Sequence, residues 1–210
     1  MTAATQPSSQ SSPFGLAPGG FLLVVSGPSG AGKGTLVQAL LSARAECVFA
    51  ISSTTRTMRA GAPDGVQYRF VTREQFEAQV AQHYFLEWAH VHRDLYGTPL
   101  QEVEAHMRAG RVVVLDIDVQ GGASVRAKRP DAVTVFVAPP SLEALRERLV
   151  GRGTDATDVI EHRMGNAPDE LAQYVHYDYL IGNDDRERAA ERLIALHDAD
   201  RTRVRPPAAR

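Results

Sequence analysis

Uninterrupted apolar runs recur along the chain and predict buried strands. Residues 21–25, 112–117 and 132–137 carry large or β-branched apolar side chains without polar alternation, which is typical of strands covered on both faces. Between the runs, apolar residues spaced three and four apart predict amphipathic helices. Further strands are predicted at 48–51, 67–71, 84–91 and 179–181. Helices are predicted at 36–43, after Thr72, up to Gly110, at 122–127, after Ser141, at 155–163 and at 186–199.

The order of these segments predicts an α/β fold. Strands that alternate with helices form a mostly parallel sheet with helices on both faces, and ligands bind beyond the carboxyl ends of its strands. Closely spaced strands break this rhythm in residues 52–98, so we expect a small mixed lobe inserted there. Within it, turns are predicted at residues 61–65 and at the sequence Tyr96-Gly97-Thr98-Pro99. Farther along, Pro168 predicts an interruption or a restart of the helical region, with Asp169 and Glu170 as first-turn residues.

A glycine-rich stretch follows the first predicted strand and precedes a helix. Residues 27–35 read GPSGAGKGT, with the spacing Gly27-x-x-x-x-Gly32-Lys33 of a phosphate-binding loop. Glycines let the backbone N–H groups approach phosphate oxygens, while the helix N-terminus and Lys33 supply positive charge. The pattern departs at Gly34, where Ser or Thr usually follows the lysine to hold magnesium. The loop predicts nucleotide binding but does not specify the reaction.

The composition narrows the class of protein. Of the 210 residues, 43% are hydrophobic and 23% are charged, and the net charge of −2 argues against a protein that wraps nucleic acid. The single cysteine, Cys47, excludes an internal disulfide, which fits a reducing cytoplasm. No run approaches the ~20 apolar residues of a membrane span. We expect residues 1–20 to form a disordered leader and residues 201–210 a basic tail.

A second candidate phosphate site follows the second predicted strand. Four hydroxyl-bearing residues at 52–55 precede Arg56, and Arg59 lies three residues farther on. Guanidinium groups bind phosphate oxygens in a bidentate manner. A second phosphate site near a triphosphate loop suggests phosphoryl transfer between two nucleotides. An arginine-rich loop that pairs surface carboxylates is the alternative for this segment alone.

Several blocks in order resemble the guanylate kinase family over nearly the whole globular part. They are GPSGAGKGTL, SSTTRTMRAGAPDGVQYRFV, FLEWAHVH, YGTP, VVVLDIDVQG, PPSLEALRERLVGRGT and IGNDD. The resemblance implies a three-layer P-loop fold with an inserted monophosphate-binding lobe and a helical lid. It divides the chain into a domain of residues 21–200, with the core at 21–51, 99–138 and 174–200, the lobe at 52–98 and the lid at about 139–173.

The same resemblance implies ATP-dependent phosphorylation of GMP, and of dGMP, to the diphosphate, a step of guanine nucleotide synthesis and GMP recycling. The mechanism is in-line phosphoryl transfer with Mg²⁺ as cofactor. Nucleic acid and membranes are not expected as partners, and the oligomeric state stays open. The residues that the family would place around GMP are Ser52, Arg56, Arg59, Tyr68, Glu87, Tyr96, Thr98 and Asp116.

The resemblance also assigns the ATP side. Arg152 and Arg163 match the arginines of the lid, Asn183 lies at the adenine end, and catalysis would rest on Lys33, Arg56, Arg152 and Arg163. Metal contacts, partly through water, are expected from Thr35, Asp116 and Asp118. The ATP-binding set comprises Gly27, Pro28, Ser29, Gly30, Ala31, Gly32, Lys33, Gly34, Thr35, Arg152 and Asn183.

Two other functions share parts of this pattern. Adenylate kinase has the same style of loop but lacks the SSTTR-x-x-R block and the guanine-selecting carboxylate. A non-catalytic guanylate-kinase-like module would reuse the GMP pocket for a phosphorylated partner, and such modules tend to lose the ATP loop. Lys33 and both lid arginines are present here, which favours the enzyme.

Overall fold

The computed structural model describes residues 19–58, 68–91, 93–151 and 156–204. Arg59, Arg152, the predicted turn at 61–65 and most of the predicted leader and tail lie outside these residues. The described strands are β1 (Leu22–Ser26), β2 (Cys47–Phe49), β3 (Ser52–Thr54), β4 (Tyr68–Phe70), β5 (Phe85–Val91), β6 (Asp94–Pro99), β7 (Val112–Asp116), β8 (Val133–Ala138) and β9 (Tyr179–Gly182). The described helices are α1 (Lys33–Ala43), α2 (Arg73–Ala81), α3 (Leu100–Arg108), α4 (Val119–Lys128), α5 (Leu142–Gly151), α6 (Thr157–Ala172) and α7 (Arg186–Arg201).

The central sheet is parallel, as the alternation of segments predicted. Its strand order is β2-β7-β1-β8-β9, and β1 lies in the middle with β7 and β8 as neighbours. All its strands point the same way, so the segments after β1, β7 and β9 emerge at one edge of the sheet. These segments carry Gly27, Asp118 and Asn183, and Asp116 ends β7 itself.

Alternate residues of β1 face two different helical layers. Leu23 and Val25 pack with residues of α1 and α7, whereas Leu22 and Val24 pack with residues of α3 and α4. The five residues of β1 are buried, because helices cover the sheet on both faces. This is the three-layer α/β arrangement that the sequence predicted, and it fixes the loop after β1 on a rigid core.

The inserted lobe contains a second, mixed sheet of order β4-β3-β6-β5, in which only the β3–β4 pair is parallel. The predicted turn at residues 96–99 is wrong, because these residues belong to β6 and pair with β3 and β5. Gly97 does not reverse the chain. A Cβ at Gly97 would stand 2.8 Å from the Phe85 ring, so the glycine admits that ring into the core of the lobe.

The predicted interruption at Pro168 is also wrong, since α6 continues from Thr157 to Ala172 with the proline inside it. Proline lacks the N–H that would bond the carbonyl one turn earlier. Packing compensates for this loss: Ile160 and Ala167 of α6 are buried against Leu145 and Leu149 of α5. The pair α5 and α6 thus forms one packed unit beside the phosphate loop.

Several boundaries differ from the predicted ones by a few residues. The helix after the loop begins at Lys33 rather than at residue 36, and the final helix extends to Arg201. Thr72 and Ser141, after which helices were predicted, cap α2 and α5 through their side chains, with distances of 3.2 Å and 3.1 Å to backbone nitrogens. Among the described residues, the helices are too short or too polar to cross a membrane.

Candidate active site

The loop between β1 and α1 has the backbone of a phosphate cradle. Gly27, Gly30 and Gly32 adopt positive φ angles of 138°, 93° and 96°, which side-chain-bearing residues rarely adopt. At Gly27 the need for glycine is also spatial, because a Cβ would stand 2.2 Å from the carbonyl oxygen of Val137. Gly32 forms the N-cap of α1, so the N–H groups of the first turn point toward the loop without a capping side chain.

Lys33 folds back over the loop that precedes it. Its Nζ donates to the carbonyl oxygen of Gly27 at 2.7 Å and to that of Pro28 at 3.2 Å. The ammonium group therefore lies against the carbonyl oxygens of the phosphate loop.

One of the two predicted lid arginines reaches this loop in the structure. Arg163, on α6, donates from Nη1 to Oγ of Ser29 at 2.9 Å. Its predicted companion, Arg152, lies outside the described residues. The contact brings a second cation to the phosphate loop from a separate, helical part of the chain.

Glu170 is a residue near the loop that sequence analysis missed. It lies seven residues after Arg163, and two helical turns place both on one face of α6. Burial raises the pKa of its carboxyl group, and Asp118 adds to this, while Lys33, the Ser29 N–H and Arg163 act in the opposite direction. The sequence predicted that a helix restarts at Pro168, which would place Glu170 in a first turn and in a different helix from Arg163. The shared face of these two residues was therefore not predicted.

Asn183 closes the other side of the loop. Its Nδ2 donates to the carbonyl oxygen of Ala31 at 2.7 Å, which fixes the amide. Its Oδ1 is buried and has no hydrogen-bond partner within residues 19–58, 68–91, 93–151 and 156–204. Asn183 also lines a cavity of about 410 Å³, together with Gly30, Gly32, Thr35, Arg148 and Arg186.

Arg148 is a second residue that sequence analysis missed. It donates to the carbonyl oxygens of Asn183 at 2.8 Å and Ala31 at 3.3 Å, so it joins the loop to the segment after β9. The sequence gives only a weak signal for it: Arg148 lies four positions before the predicted lid residue Arg152, a spacing that is common to many residue pairs.

Three side chains of the lobe form a hydrogen-bonded series. Oγ1 of Thr98 donates to Oε1 of Glu87 at 2.6 Å, and the Ser52 hydroxyl lies 3.3 Å from the same Thr98 oxygen. These residues come from β6, β5 and β3, and pairing of Glu87 with Thr98 in the sheet brings the two together. The structure thus unites three of the residues predicted to surround a base.

Burial perturbs the ionisation of Glu87, which is 3% exposed. Desolvation raises the pKa of its carboxyl group to about 7. The charge of Asp118 adds to this rise, while the hydrogen bond from Thr98 and the charge of Lys128 oppose it.

The predicted phosphate-binding residues of the lobe meet around Tyr68. The guanidinium carbon of Arg56 lies 5.1 Å from the centre of the Tyr68 ring, and the rings of Tyr68 and Tyr96 meet edge to face at 5.6 Å. Nε of Arg56 is buried and has no acceptor within the part of the chain that the structure describes. An unsatisfied, buried guanidinium donor suits an anionic ligand. Arg59 lies outside the described residues.

One cavity connects the lobe with the phosphate loop. It measures about 480 Å³, and its lining includes Gly34, Thr35, Gln38, Phe49, Tyr68 and Asp116. Gly34 and Thr35 belong to the loop, whereas Tyr68 belongs to the lobe. Both predicted nucleotide sites therefore face a shared space.

The carboxylate of Asp116 lies beside the loop residue that breaks the usual pattern. A Cβ on Gly34 would stand 3.3 Å from Oδ2 of Asp116, so the glycine gives this oxygen room beside the loop. Asp118, in contrast, forms the N-cap of α4 and accepts from the Gly121 N–H at 2.8 Å. Among the described residues, no group of three or more His, Cys, Asp or Glu side chains forms a metal cage.

Comparison with known proteins identifies the family. The sequence model of guanylate kinase matches residues 20–199. The chain is 47% identical over 187 residues to the guanylate kinase of Symbiobacterium thermophilum, covering 89% of each chain. It is 46% identical over 177 residues to that of Rubrobacter xylanophilus, covering 84% of this chain and 93% of the relative.

A solved structure agrees with the sequence relatives. The crystal structure of guanylate kinase from Anaplasma phagocytophilum superposes with a TM-score of 0.75 at 31% identity, covering 90% of each chain. The family resemblance inferred from the sequence motifs is thereby confirmed, and the chain belongs to the guanylate kinase family.

Proposed function

We propose that this chain transfers the γ-phosphoryl group of ATP to GMP, which yields ADP and GDP. The observation that carries the proposal is the 480 Å³ cavity that contains Gly34 and Thr35 of the phosphate loop together with Tyr68 of the lobe. A donor and an acceptor nucleotide held on its two sides would bring their phosphates together. Family membership supports the same reaction.

The loop and its neighbours are assigned to ATP. The backbone N–H groups of residues 27–35 would surround the phosphates, and the Lys33 ammonium would exchange its carbonyl partners for phosphate oxygens. Arg163, already at the loop through Ser29, and Arg152 would contact the transferred group. The buried Oδ1 of Asn183 suits the exocyclic amine of adenine.

The lobe is assigned to GMP. Guanine presents its N1–H and its exocyclic amine side by side, and the Glu87 carboxylate offers two acceptors for them, with Ser52 and Thr98 beside it. Arg56, Arg59, Tyr68 and Tyr96 would bind the phosphate. These residues address the base and the phosphate rather than the sugar, so we include dGMP as an acceptor. Asp116 would lie between base and metal.

Charge and alignment would provide the catalysis. An oxygen of the GMP phosphate attacks the γ-phosphorus, the bond to the β–γ bridging oxygen breaks, and ADP leaves with that electron pair. The attacking phosphate is already anionic, so no general base is needed. Lys33, Arg56, Arg152 and Arg163 would stabilise the charge that develops on the transferred group and hold the reactants in line.

The residues beside Gly34 fit a magnesium ion that arrives with ATP. Mg²⁺ in kinases is held by one or two carboxylates together with substrate phosphates, not by a cage of protein ligands. Thr35 and Asp116, whose Oδ2 lies next to Gly34, would hold it, partly through water. Asp118, the third contact predicted from the sequence, caps α4 through Oδ1, so we do not assign it to the ion. When bound, the ion would neutralise charge on the β- and γ-phosphates.

We infer that the protein acts in the cytoplasm, where both nucleotides occur and where a thiol stays reduced. The buried Cys47 thiol, whose pKa is raised to about 12 mainly by desolvation, is consistent with a purely structural role there.

A substrate panel tests the proposed reaction. Purified protein with ATP and Mg²⁺ is offered GMP, dGMP, AMP, CMP and UMP, and ADP release is followed by a coupled assay. We expect turnover with GMP and dGMP. Activity with AMP alone would overturn the guanine assignment, and inactivity with all five acceptors would favour a phosphoprotein-binding module.

A further inference from the structure

The first turn of α4 lies directly against the buried carboxylate of Glu87. This helix begins after β7, and Asp118 is its N-cap, with an extended backbone and Oδ1 accepting from the Gly121 N–H at 2.8 Å. The cap fixes where the first turn of α4 stands relative to the end of β7. Helix α4 in turn packs on β5, the strand that carries Glu87.

Gly121 provides the space that one Glu87 oxygen occupies. A Cβ at Gly121 would stand 3.1 Å from Oε2 of Glu87 and 3.3 Å from Oδ1 of Asp118. Both distances are shorter than ordinary van der Waals contacts of carbon and oxygen. Gly121 is buried and its φ angle is not positive, so the backbone itself does not require glycine. A Cβ at this position would instead require the neighbouring carboxylate oxygens to move by a few tenths of an ångström.

The two oxygens of Glu87 are therefore confined from opposite elements. Oε1 accepts from Thr98 at 2.6 Å, and Oε2 borders the first turn of α4. A carboxylate that must meet two adjacent donors of a planar base needs both oxygens in place at once, because misplacement of one weakens both hydrogen bonds.

We propose that Asp118 and Gly121 are positioning residues for the Glu87 carboxylate and thereby set the affinity and selectivity for the guanine base. This inference rests on the proposed function, in which Glu87 binds guanine. It assigns Asp118 a role through the helix cap, which differs from the metal contact predicted from the sequence.

The first experiment introduces a Cβ at Gly121. Gly121→Ala is compared with Gly165→Ala, a matched control on α6 where a Cβ meets nothing within 4 Å. Binding of GMP alone is measured by calorimetry in buffer with EDTA, so neither ATP nor metal contributes. We expect Gly121→Ala to weaken GMP binding about tenfold, the effect of losing one charged hydrogen bond, and Gly165→Ala to bind normally.

Steady-state kinetics then distinguish a positioning role of Gly121 from a general loss of activity. For Gly121→Ala we expect KM for GMP to rise in parallel with the dissociation constant, while kcat and KM for ATP stay within about threefold. Inosine monophosphate lacks the exocyclic amine, so it loses less than GMP does and the preference for GMP shrinks. Unchanged GMP affinity and unchanged selectivity in a folded Gly121→Ala protein would overturn the proposal.

The second experiment separates the cap from the charge of Asp118. Asp118→Asn keeps an N-cap acceptor, whereas Asp118→Ala removes it. We expect near-normal GMP binding in EDTA for Asn and weakened binding for Ala, with the same Mg²⁺ requirement in both. Equal GMP binding by both variants, accompanied by a raised Mg²⁺ requirement, would instead make Asp118 a metal contact.

The outcomes remain distinguishable from failure of the proposed function. If the wild-type protein binds no GMP and phosphorylates none, the proposed function is wrong. If the wild-type protein binds GMP and phosphorylates it, the proposed function holds, and the GMP affinities of the variants test the positioning role. Thermal unfolding is recorded for every variant, and if Gly121→Ala does not fold, the two Asp118 variants carry the test.

Discussion

Thr98 donates a hydrogen bond of 2.6 Å to Glu87 from the neighbouring strand, and both side chains are buried. The carboxylate is therefore held in place before any nucleotide binds. A side chain that is already fixed loses no conformational freedom when a ligand binds. A larger share of the free energy of each hydrogen bond with guanine therefore contributes to the affinity.

The first prediction concerns the identity of this acceptor. Glu87→Gln replaces one acceptor oxygen with an amide that donates, which opposes the donors of guanine. We expect kcat/KM for GMP to fall by roughly 10²-fold or more, with KM for ATP unchanged. Steady-state kinetics with each substrate varied in turn test this. Normal kcat/KM for GMP in the variant would remove Glu87 from base recognition.

The second prediction concerns pH. The pKa of Glu87 is raised to about 7, chiefly by desolvation, so the carboxyl group gains a proton and loses an acceptor as the pH falls through 7. We expect KM for GMP to rise about tenfold between pH 8 and pH 6. The Glu87→Gln variant is the control, because it reports the titration of the GMP phosphate alone. The same pH profile in both proteins would contradict the prediction.

The third prediction concerns stability, and its sign follows from the same group. The pKa of Glu87 in the folded protein lies above its ordinary value of 4.5. The contribution of Glu87 to the free energy of unfolding is therefore fully present below pH 4.5 and is lost as the pH rises through about 7. GMP offsets this loss of stability, because it binds the ionised form of the carboxylate. We expect the increase in Tm on adding GMP to be larger at pH 8 than at pH 6, as measured by thermal shift; the reverse order would refute it.

The fourth prediction compares two arginines of the α5–α6 unit. Arg163 contacts Ser29 of the phosphate loop, whereas Arg146 forms an exposed ion pair with Glu161. We expect Arg163→Ala to lower kcat by roughly 10²- to 10³-fold with GMP binding retained. Arg146→Ala should be close to wild type, because exposed ion pairs contribute little. Near-normal kcat for Arg163→Ala would exclude it from the catalytic set. The family resemblance in the sequence matches Arg152 to the other lid arginine, so we also expect Arg152→Ala to retain GMP binding and lose most turnover in the same assays.

The fifth prediction concerns the proline inside α6. Pro168 is exposed and leaves the preceding turn without one backbone hydrogen bond. Pro168→Ala restores that donor, and we expect the free energy of unfolding to rise by roughly 1–2 kcal/mol, after the greater freedom of the unfolded chain is subtracted. Chemical denaturation measures this. Asp169→Ala, at the adjacent exposed position, should change stability by less than about 0.5 kcal/mol, and a lower stability of Pro168→Ala would show that the proline suits this helix.

The central sheet and the phosphate loop could be predicted from the sequence alone. β1, β7 and β8 lie buried between two helical layers, and that environment requires the continuous apolar runs that identified them. The glycines of the loop could be interpreted because their positive φ angles leave few other residues possible.

Other features depend on contacts between distant residues and escaped prediction. Gly97 and Pro99 looked like turn residues, yet the glycine serves to admit the Phe85 ring into the lobe. Arg148 and Glu170 lack a distinctive motif, and only the packing of α5 and α6 beside the loop brings them to the site. The contact of Gly121 with Glu87 joins residues 34 positions apart, so no local pattern could indicate it.

The position of β1 in the centre of the sheet also bears on the order in which the protein is assembled. Its partners are β7, which begins at Val112, and β8, which begins at Val133. The phosphate loop is thus synthesised early, but the strand that supports it has no neighbour until the chain has grown from Leu22 to Val112, by about 90 residues. Because non-local pairing must wait for both segments, a ribosome-bound chain acquires its ATP-binding loop only after the lobe for the other nucleotide has already emerged.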